Sequence, residues 1–140
     1  MSHPSPSPDP ALRERLERAA EGLVYSSESD RPFEFFLLPG AGDEPPGREA
    51  FGRLVGAGAE TRVEERDLDH FFARHAETSD PYDLEAQRIR PRYEALRELL
   101  RTALRGTTVY RLGAIEIACY VVGGDGRGNL AGLRTVAVET

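Results

Sequence analysis

The stretch Ile115-Glu116-Ile117-Ala118-Cys119-Tyr120-Val121-Val122 decides the fold class. Every odd-numbered residue in it is apolar, whereas its only charged residue, Glu116, has an even number. A period of two is that of a β-strand with one face against the core. The stretch therefore predicts a strand, and it places Ile115 and Cys119 on the buried face.

The sequence on either side extends this strand into a sheet. Residues 108–112 and 130–138 are similarly apolar, and the connections to them, residues 113–114 and 123–129, are short and rich in turn-forming residues. Strands joined by such short turns pair antiparallel. The glycine-rich connection at 123–129 is followed by a strand and not by a helix, which indicates a hairpin loop and argues against a phosphate-binding loop.

Two longer helices are predicted upstream. Asp9 followed by Pro10 is a typical helix start, and apolar residues recur at helical spacing as far as Leu23. The pair Asp80-Pro81 repeats this start and opens the longest helical pattern, which runs to residue 105. Pro91 lies inside that pattern, so it should kink the helix or divide it into two.

Shorter elements lie between these helices. The aromatic-rich residues 33–38 predict a strand covered on both faces, and residues 61–66 predict a further strand. A short helix is predicted at residues 49–55, with Phe51, Leu54 and Val55 on its apolar side, and another after Asp67. The polar residues 24–32 predict a loop. Together the elements predict an α+β domain with a mostly antiparallel sheet of four or five strands and helices packed on it.

Length and composition limit the class of protein. The 140 residues suit one domain, which we expect at residues 11–140, after a disordered proline-rich tail at residues 1–10. The single cysteine cannot form an internal disulfide, and the tail lacks the features of a signal peptide. No apolar run approaches the ~20 residues of a membrane span. We therefore expect a cytoplasmic protein with no membrane contact.

The charges are unevenly distributed. The 18 basic residues are all arginine and stand against 24 acids, which gives a net charge of -6. Phosphate binding needs a surplus of cations, so this balance argues against direct nucleic-acid binding but permits a partner with a basic surface. Residues 26–85 alone hold 15 acids and 6 arginines, a net charge of -9, and the remainder carries +3. This stretch is either a solvated acidic surface or part of a docking face.

No motif specifies an enzyme or a metal site. His70 and His75 are five positions apart, whereas zinc-binding histidines on one helix face are about three or four apart. Cys119 lies on an apolar face, which does not activate a thiol, and residues 26–29 contain no Gly-x-Ser-x-Gly motif. We therefore predict a non-catalytic chain with no cofactor and no metal of its own. A small hydrolase that uses paired carboxylates is the alternative.

A polar loop is the remaining candidate for a binding site. Residues 25–34 are held at both ends by predicted structure and carry Glu28 at their centre. A carboxylate on such a loop can project into a partner's groove and meet cationic or metal groups there. The alternative is a solvated connection between a helix and a strand.

The same region resembles the signature of the nuclease A inhibitor (NuiA-like) family. The matching stretch reads Glu21-Gly22-Leu23-Val24-Tyr25-Ser26-Ser27-Glu28-Ser29-Asp30-Arg31-Pro32-Phe33-Glu34. Further segments match in the same order, namely Asp67-Leu68-Asp69-His70-Phe71-Phe72, Val109-Tyr110-Arg111-Leu112-Gly113, Gly128-Asn129-Leu130-Ala131-Gly132-Leu133 and Val138-Glu139-Thr140. The resemblance covers nearly the whole chain after the proline-rich tail.

The resemblance implies a fold and a function. It implies a compact α/β/α sandwich and an acidic protein that inhibits a sugar-non-specific, Mg²⁺-dependent DNA/RNA endonuclease with a basic groove. In the family, a glutamate of the Ser-Glu-Ser loop and the C-terminal threonine reach the metal centre of the enzyme, and by position these are Glu28 and Thr140. Ser27, Ser29 and Asp30 would surround Glu28 in the interface. We expect the free chain to be a monomer.

One segment departs from the family pattern. The interface of the family includes a tryptophan-containing stretch before the long helix, where this chain has Asp80-Pro81-Tyr82-Asp83 and no tryptophan. Aromatic anchors often dominate binding energy. Either Tyr82 takes the place of this anchor, or the chain serves a different nuclease, or it serves none. The alternative function is a protein-binding module of the same fold with a non-nuclease partner.

Overall fold

The computed structural model describes residues 9–77 and 80–140. In these residues the chain forms four helices and seven strands. The helices are α1 (Pro10–Ala20), α2 (Arg48–Leu54), α3 (Leu68–Ala76) and α4 (Leu84–Ala103). The strands are β1 (Val24–Ser26), β2 (Asp30–Pro32), β3 (Glu34–Leu38), β4 (Val63–Arg66), β5 (Arg105–Leu112), β6 (Glu116–Gly124) and β7 (Leu130–Val138). Of the expected tail, residues 1–8 lie outside the described residues, and Asp9 and Pro10 begin α1.

Five of the described strands form one antiparallel sheet in the order β3-β7-β6-β5-β4. The stretch that predicted the fold class is its central strand β6, in which Val121 lies between Val109 of β5 and Leu133 of β7. Consecutive strands β5, β6 and β7 are neighbours because the connections between them are short. The predicted antiparallel sheet is confirmed.

Helices cover both faces of this sheet. On one face, α1, α3 and α4 pack against apolar odd-numbered residues of β5 to β7, and Leu16, Phe72 and Leu96 are fully buried there. On the other face, α2 stacks Phe51 on Tyr110 with their ring centroids 3.9 Å apart. Burying each such side chain stabilises the fold by about 1.5–3 kcal/mol. The α+β class and the α/β/α sandwich are confirmed.

The longest helix begins later than its sequence pattern predicts. α4 starts at Leu84 because Asp83 caps it, accepting a hydrogen bond from the N–H of Ala86 at 3.0 Å. Asp80, the predicted cap, instead closes the preceding turn by accepting from the N–H of Tyr82 at 2.9 Å. Both aspartates are good caps, and the sequence alone does not choose between them.

Pro91 does not divide α4, which is continuous over its 20 residues. A proline inside a helix removes one backbone hydrogen bond and crowds the preceding turn. Tyr93, Leu96 and Leu100 are buried just after it, and this packing offsets the local cost. Of the two effects predicted for Pro91, a kink or a division, the division into two helices is wrong. No helix in the described ranges, α4 included, is long and apolar enough to span a membrane.

The glycine-rich connection between β6 and β7 is a hairpin loop, as predicted. Its backbone N–H groups are occupied by carboxylates of the chain itself. Asp43 Oδ1 accepts from Gly126 at 2.8 Å and from Gly128 at 3.0 Å, and Asp125 Oδ1 accepts from Arg127 at 2.7 Å. These amide groups stabilise the loop and are not directed at a phosphate.

Two apolar residues predicted on core faces are exposed. Ile115 is 62% exposed and Leu54 is 46% exposed. β6 begins at Glu116, so Ile115 belongs to the turn before the strand and leaves the alternation that holds from Ile117 onward. Leu54 is the last residue of the short helix α2, and Val55 after it packs against the cluster around Phe51.

Candidate functional site

Residues 24–32 form a β-hairpin where the sequence predicts a loop. β1 and β2 pair antiparallel, and the N–H of Ser27 donates to the carbonyl oxygen of Ser29 at 2.9 Å across the turn. Each strand has only three residues and is rich in polar side chains, so neither has a hydrophobic period to reveal it. The turn presents Glu28 as an exposed residue at its tip.

The tip of this hairpin is fixed to the end of β7. The N–H of Glu28 donates to the carbonyl oxygen of Val138 at 3.2 Å, and the N–H of Val138 donates to Ser27 Oγ at 2.9 Å. Farther from the tip, the Thr135 hydroxyl donates to the carbonyl oxygen of Arg31 at 3.3 Å. The position of Glu28 is therefore set by the sheet.

Thr140 binds the Glu28 side chain directly. Glu28 Oε1 accepts from the Thr140 hydroxyl at 2.6 Å, and Oε2 accepts from the Thr140 backbone N–H. Both residues are exposed. A carboxylate oxygen has more than one lone pair, so the Glu28 carboxylate can accept these two bonds and still bind a cation from the solvent side.

These hydrogen bonds hold Glu28 in its charged form. They lower its pKa below the ordinary 4.5, and the bond from the Thr140 hydroxyl is the largest cause, followed by the bond from the Thr140 N–H. A donor that binds a carboxylate favours the ionised group over the protonated one. The tip therefore carries a full negative charge at neutral pH.

The residue before Thr140 connects this tip to the β5–β6 turn. The N–H of Glu139 donates to the carbonyl oxygen of Ile115 at 2.9 Å, and its carboxylate forms an ion pair with Arg111 of β5. Ile115, whose side chain is exposed, thus binds through its backbone the residue next to Thr140. Its position directly after a glycine-containing turn is the sequence signal that could have indicated exposure.

Side chains of α3 and α4 hold the outer edge of β1. The Tyr93 hydroxyl donates to the carbonyl oxygen of Val24 at 2.6 Å, and the N–H of Ser26 donates to His75 Nε2 at 3.2 Å. Arg74 donates to the carbonyl oxygen of Ser26. The sequence pattern offers no indication of these contacts, since His75 and Ser26 are 49 positions apart.

Ser29 and Asp30 follow Glu28 with different exposure. Asp30 is exposed, whereas Ser29 is half-buried. The Ser29 hydroxyl oxygen is buried and has no hydrogen-bond partner within residues 9–77 and 80–140. The hairpin therefore presents Glu28 and Asp30 to solvent and turns the Ser29 hydroxyl inward.

Tyr82 belongs to a separate segment of the chain, before α4. It is 90% exposed in the turn before α4, beside Leu84, which is 77% exposed. From Leu84 to Tyr93 the helix rises about 14 Å, and Tyr93 contacts the start of β1, away from its tip. In the part of the chain that the structure describes, no hydrogen bond or ring contact joins Tyr82 to the hairpin.

The cysteine and the histidines that were considered as a nucleophile or as metal ligands do not form a common site. Cys119 is fully buried, as predicted, and burial raises the pKa of its thiol. His70 is exposed on α3, and His75 is engaged with Ser26. Across the described ranges there is no group of three or more histidine, cysteine, aspartate or glutamate side chains that could hold a metal ion.

Comparison with known proteins places this chain in a family. The family model described as nuclease A inhibitor-like protein matches residues 10–140. The match includes every helix and strand of the described structure. Among curated proteins, none matches the chain. The chain therefore belongs to the nuclease A inhibitor-like family, and this membership supports a nuclease-inhibitor type of role.

Proposed function

We propose that the chain inhibits a sugar-non-specific, Mg²⁺-dependent DNA/RNA endonuclease by occupying its active site with Glu28 and Thr140. One observation carries the proposal: an exposed carboxylate at a hairpin tip is held by Thr140 and anchored by β7. Family membership supplies the class of partner. The chain itself has no catalytic role in this proposal.

The Glu28 carboxylate takes the place of a substrate phosphate. A Mg²⁺-dependent nuclease binds the phosphodiester through the metal ion and basic side chains, and Mg²⁺ prefers oxygen ligands. Glu28, with Thr140 bound to it, brings oxygen atoms to the metal centre. Neither group contains a bond that the enzyme can cleave.

The hydrogen bonds around Glu28 lower the entropic cost of binding. Ordering a free glutamate side chain at an interface costs about 0.5–1.5 kcal/mol. Glu28 is already held by Thr140, and its backbone is held by Val138, so this ordering is achieved before the encounter. The tip can therefore enter a narrow cleft without rearrangement.

The charge distribution supports a basic partner. Residues 26–85 carry a net charge of -9 and begin at the Glu28 hairpin. Such a field attracts a positively charged groove and raises the association rate, and added salt screens it. Asp30, exposed beside Glu28, belongs to the same charged surface.

Ile115 supplies the apolar contact beside the tip. The chain has no tryptophan, and Tyr82, in the turn before α4, makes no hydrogen bond or ring contact to the hairpin within the described residues. Ile115 is exposed, and its carbonyl oxygen binds the residue next to Thr140. In this proposal Ile115 packs on the rim of the partner's cleft, and Tyr82 lies toward the edge of the interface.

Inhibition of purified Mg²⁺-dependent nucleases from the source genome tests the proposal, with Glu28→Gln as the diagnostic variant. Glu28→Gln keeps the size of the side chain and removes its charge. Glu44→Gln is the matched control, because it removes an exposed charge near the Gly124 end of β6, about 27 Å from the Glu116 end that borders the tip. We expect micromolar or tighter inhibition by the wild-type chain and by Glu44→Gln, and loss of inhibition in Glu28→Gln.

Three results would contradict the proposal in different ways. If no nuclease is inhibited at micromolar concentration, the chain has another partner. If Glu28→Gln inhibits as well as wild type, the hairpin does not enter the active site. If Thr140→Gly leaves inhibition unchanged, the Thr140 side chain has no part in binding.

A further inference from the structure

The outer edge of β1 is held by side chains in place of a neighbouring strand. β1 pairs with β2 on one side, with Tyr25 opposite Arg31. The backbone groups of Val24 and Ser26 point the other way, because successive residues of a strand direct their N–H and C=O groups to opposite sides. Tyr93 binds both groups of Val24, donating to its carbonyl oxygen at 2.6 Å and accepting from its N–H at 3.3 Å.

His75 and Arg74 perform the same task for Ser26. The Ser26 N–H donates to His75 Nε2 at 3.2 Å, and Arg74 donates to the Ser26 carbonyl oxygen. Ser26 lies two residues before Glu28, so these bonds fix the strand that leads into the tip. The contact from His75 is the one whose chemistry depends on pH.

Only a neutral imidazole can make this bond. Nε2 accepts a hydrogen bond when it carries a lone pair, whereas both nitrogens of a charged imidazolium are donors. The ring is also held in place, because it stacks on Tyr93 with centroids 4.6 Å apart and meets the edge of Tyr25 at 5.3 Å. A proton on Nε2 would therefore face the Ser26 N–H directly, donor against donor.

We infer that His75 is a positioning residue for the Glu28 tip, and that its protonation releases the Ser26 end of the hairpin and weakens partner binding. This inference rests on the proposed function in naming a nuclease as the partner. The effect on the hairpin itself is a property of the free chain. No catalytic role is assigned to His75.

The groups around His75 favour the neutral ring. Burial is the largest cause that lowers its pKa below 6.5, and the neighbouring Arg74 on α3 adds to this effect. Asp30 on β2 acts in the opposite direction and raises it. The other ionisable groups in contact are Tyr25 of β1 and Tyr93 of α4, and burial raises the pKa of both, so they stay uncharged.

The direction of the pH effect follows from these shifts. The pKa of His75 in the folded chain lies below its unfolded value of 6.5. The stability that the neutral ring contributes to the hairpin is therefore fully present above pH 6.5 and is lost as pH falls from 6.5 through the folded pKa. Glu28 has a pKa below 4.5, so its own protonation occurs at lower pH and is a separate event. Binding should weaken by up to about tenfold for each pH unit below the folded pKa of His75.

The test has one readout in the free chain and one in the complex. In the free chain, NMR should show the Ser26 amide resonance shifting together with the His75 ring resonances as pH falls. In the complex, the inhibition constant of wild type should be compared at each pH with that of His75→Gln, since their ratio cancels the titration of the nuclease. His75→Gln keeps an acceptor oxygen and cannot titrate. The inhibition constant of this variant should therefore change with pH only to the extent that the nuclease itself titrates.

The exposed histidine of the same helix provides the control. His70→Gln should show the same pH dependence of the Ser26 amide shift and of the inhibition constant as wild type, because the His70 side chain is exposed. A Ser26 amide that does not follow the His75 titration would overturn the inference, and this measurement needs neither a variant nor a partner. Identical pH profiles for wild type and His75→Gln would overturn it as well. If no nuclease is inhibited at any pH, the proposed function fails while the Ser26 titration still decides the role of His75.

Discussion

Glu28 and Thr140 are 112 positions apart in the chain and are joined by two hydrogen bonds, one to each carboxylate oxygen. This contact closes the hairpin onto the end of the sheet, next to the bond between Glu28 and Val138. It also determines which atoms a partner meets first, since both residues are exposed. The hairpin tip and the end of the chain therefore act as one surface.

Removing the Thr140 hydroxyl should weaken inhibition without unfolding the chain. Thr140→Val keeps the shape of the side chain and the backbone N–H but loses the 2.6 Å bond to Glu28 Oε1. We expect the inhibition constant to rise roughly five- to tenfold, as for the loss of one exposed hydrogen bond of ordinary strength. Thr108→Val, near the opposite end of the sheet, is the control and should leave inhibition unchanged. Equal effects of the two substitutions would show that the Thr140 contact has no specific role.

Two serines of the hairpin should differ in their effect on stability. Ser27 Oγ accepts from the N–H of Val138 at 2.9 Å, whereas the buried Ser29 hydroxyl has no partner among the described residues. Ser27→Ala leaves the Val138 N–H unpaired and should lower the free energy of unfolding by about 1 kcal/mol. Ser29→Ala removes an unsatisfied polar group and should be neutral or slightly stabilising. Urea denaturation of both variants measures the difference, and the opposite order would contradict the hydrogen bonding described for the tip.

Ile115→Ala should weaken inhibition and leave folding intact. The side chain is 62% exposed, so its truncation removes little buried area from the free chain. If it packs on the partner, the inhibition constant should rise by about tenfold. Leu54→Ala, at a residue 46% exposed on α2, is the matched control and should change neither inhibition nor stability. A larger loss from Tyr82→Ala than from Ile115→Ala would instead assign the anchor to the turn before α4.

Local patterns predicted the sheet and most helices, and contacts remote in sequence determined the site. The alternation in β6 and the cap at Asp9 are properties of a few adjacent residues, and both are confirmed. Two of the failures lie at the ends of elements. Asp80 and Asp83 are equally suited to cap α4, and Ile115 fits the alternation by residue type although the strand begins only at Glu116.

The hairpin itself could not be predicted from local sequence. Its strands of three residues are stabilised by Val138 and Thr135 of β7 and by Tyr93 and His75 of the helices, all far away in the chain. The polar loop already pointed to Glu28 as a candidate, whereas only the resemblance to a family pointed to Thr140. The resemblance did not indicate that His75 would contact the strand before them.

Protonating Glu28 should break its contact with Thr140, and the pH at which this occurs tests the contact in the free chain. Both hydrogen bonds are donated by Thr140 and favour the charged carboxylate, so the folded pKa of Glu28 lies below 4.5. A carboxylate whose pKa is lower in the folded chain than in the unfolded chain stabilises the fold at pH values above its unfolded pKa. This stabilisation is lost as pH falls through the folded pKa. In NMR, the Thr140 amide resonance should therefore shift with a midpoint below 4.5, in a step that is absent in Glu28→Gln and retained in Glu44→Gln. A midpoint at or above 4.5, or a step that survives Glu28→Gln, would mean that the two residues are not hydrogen-bonded in solution.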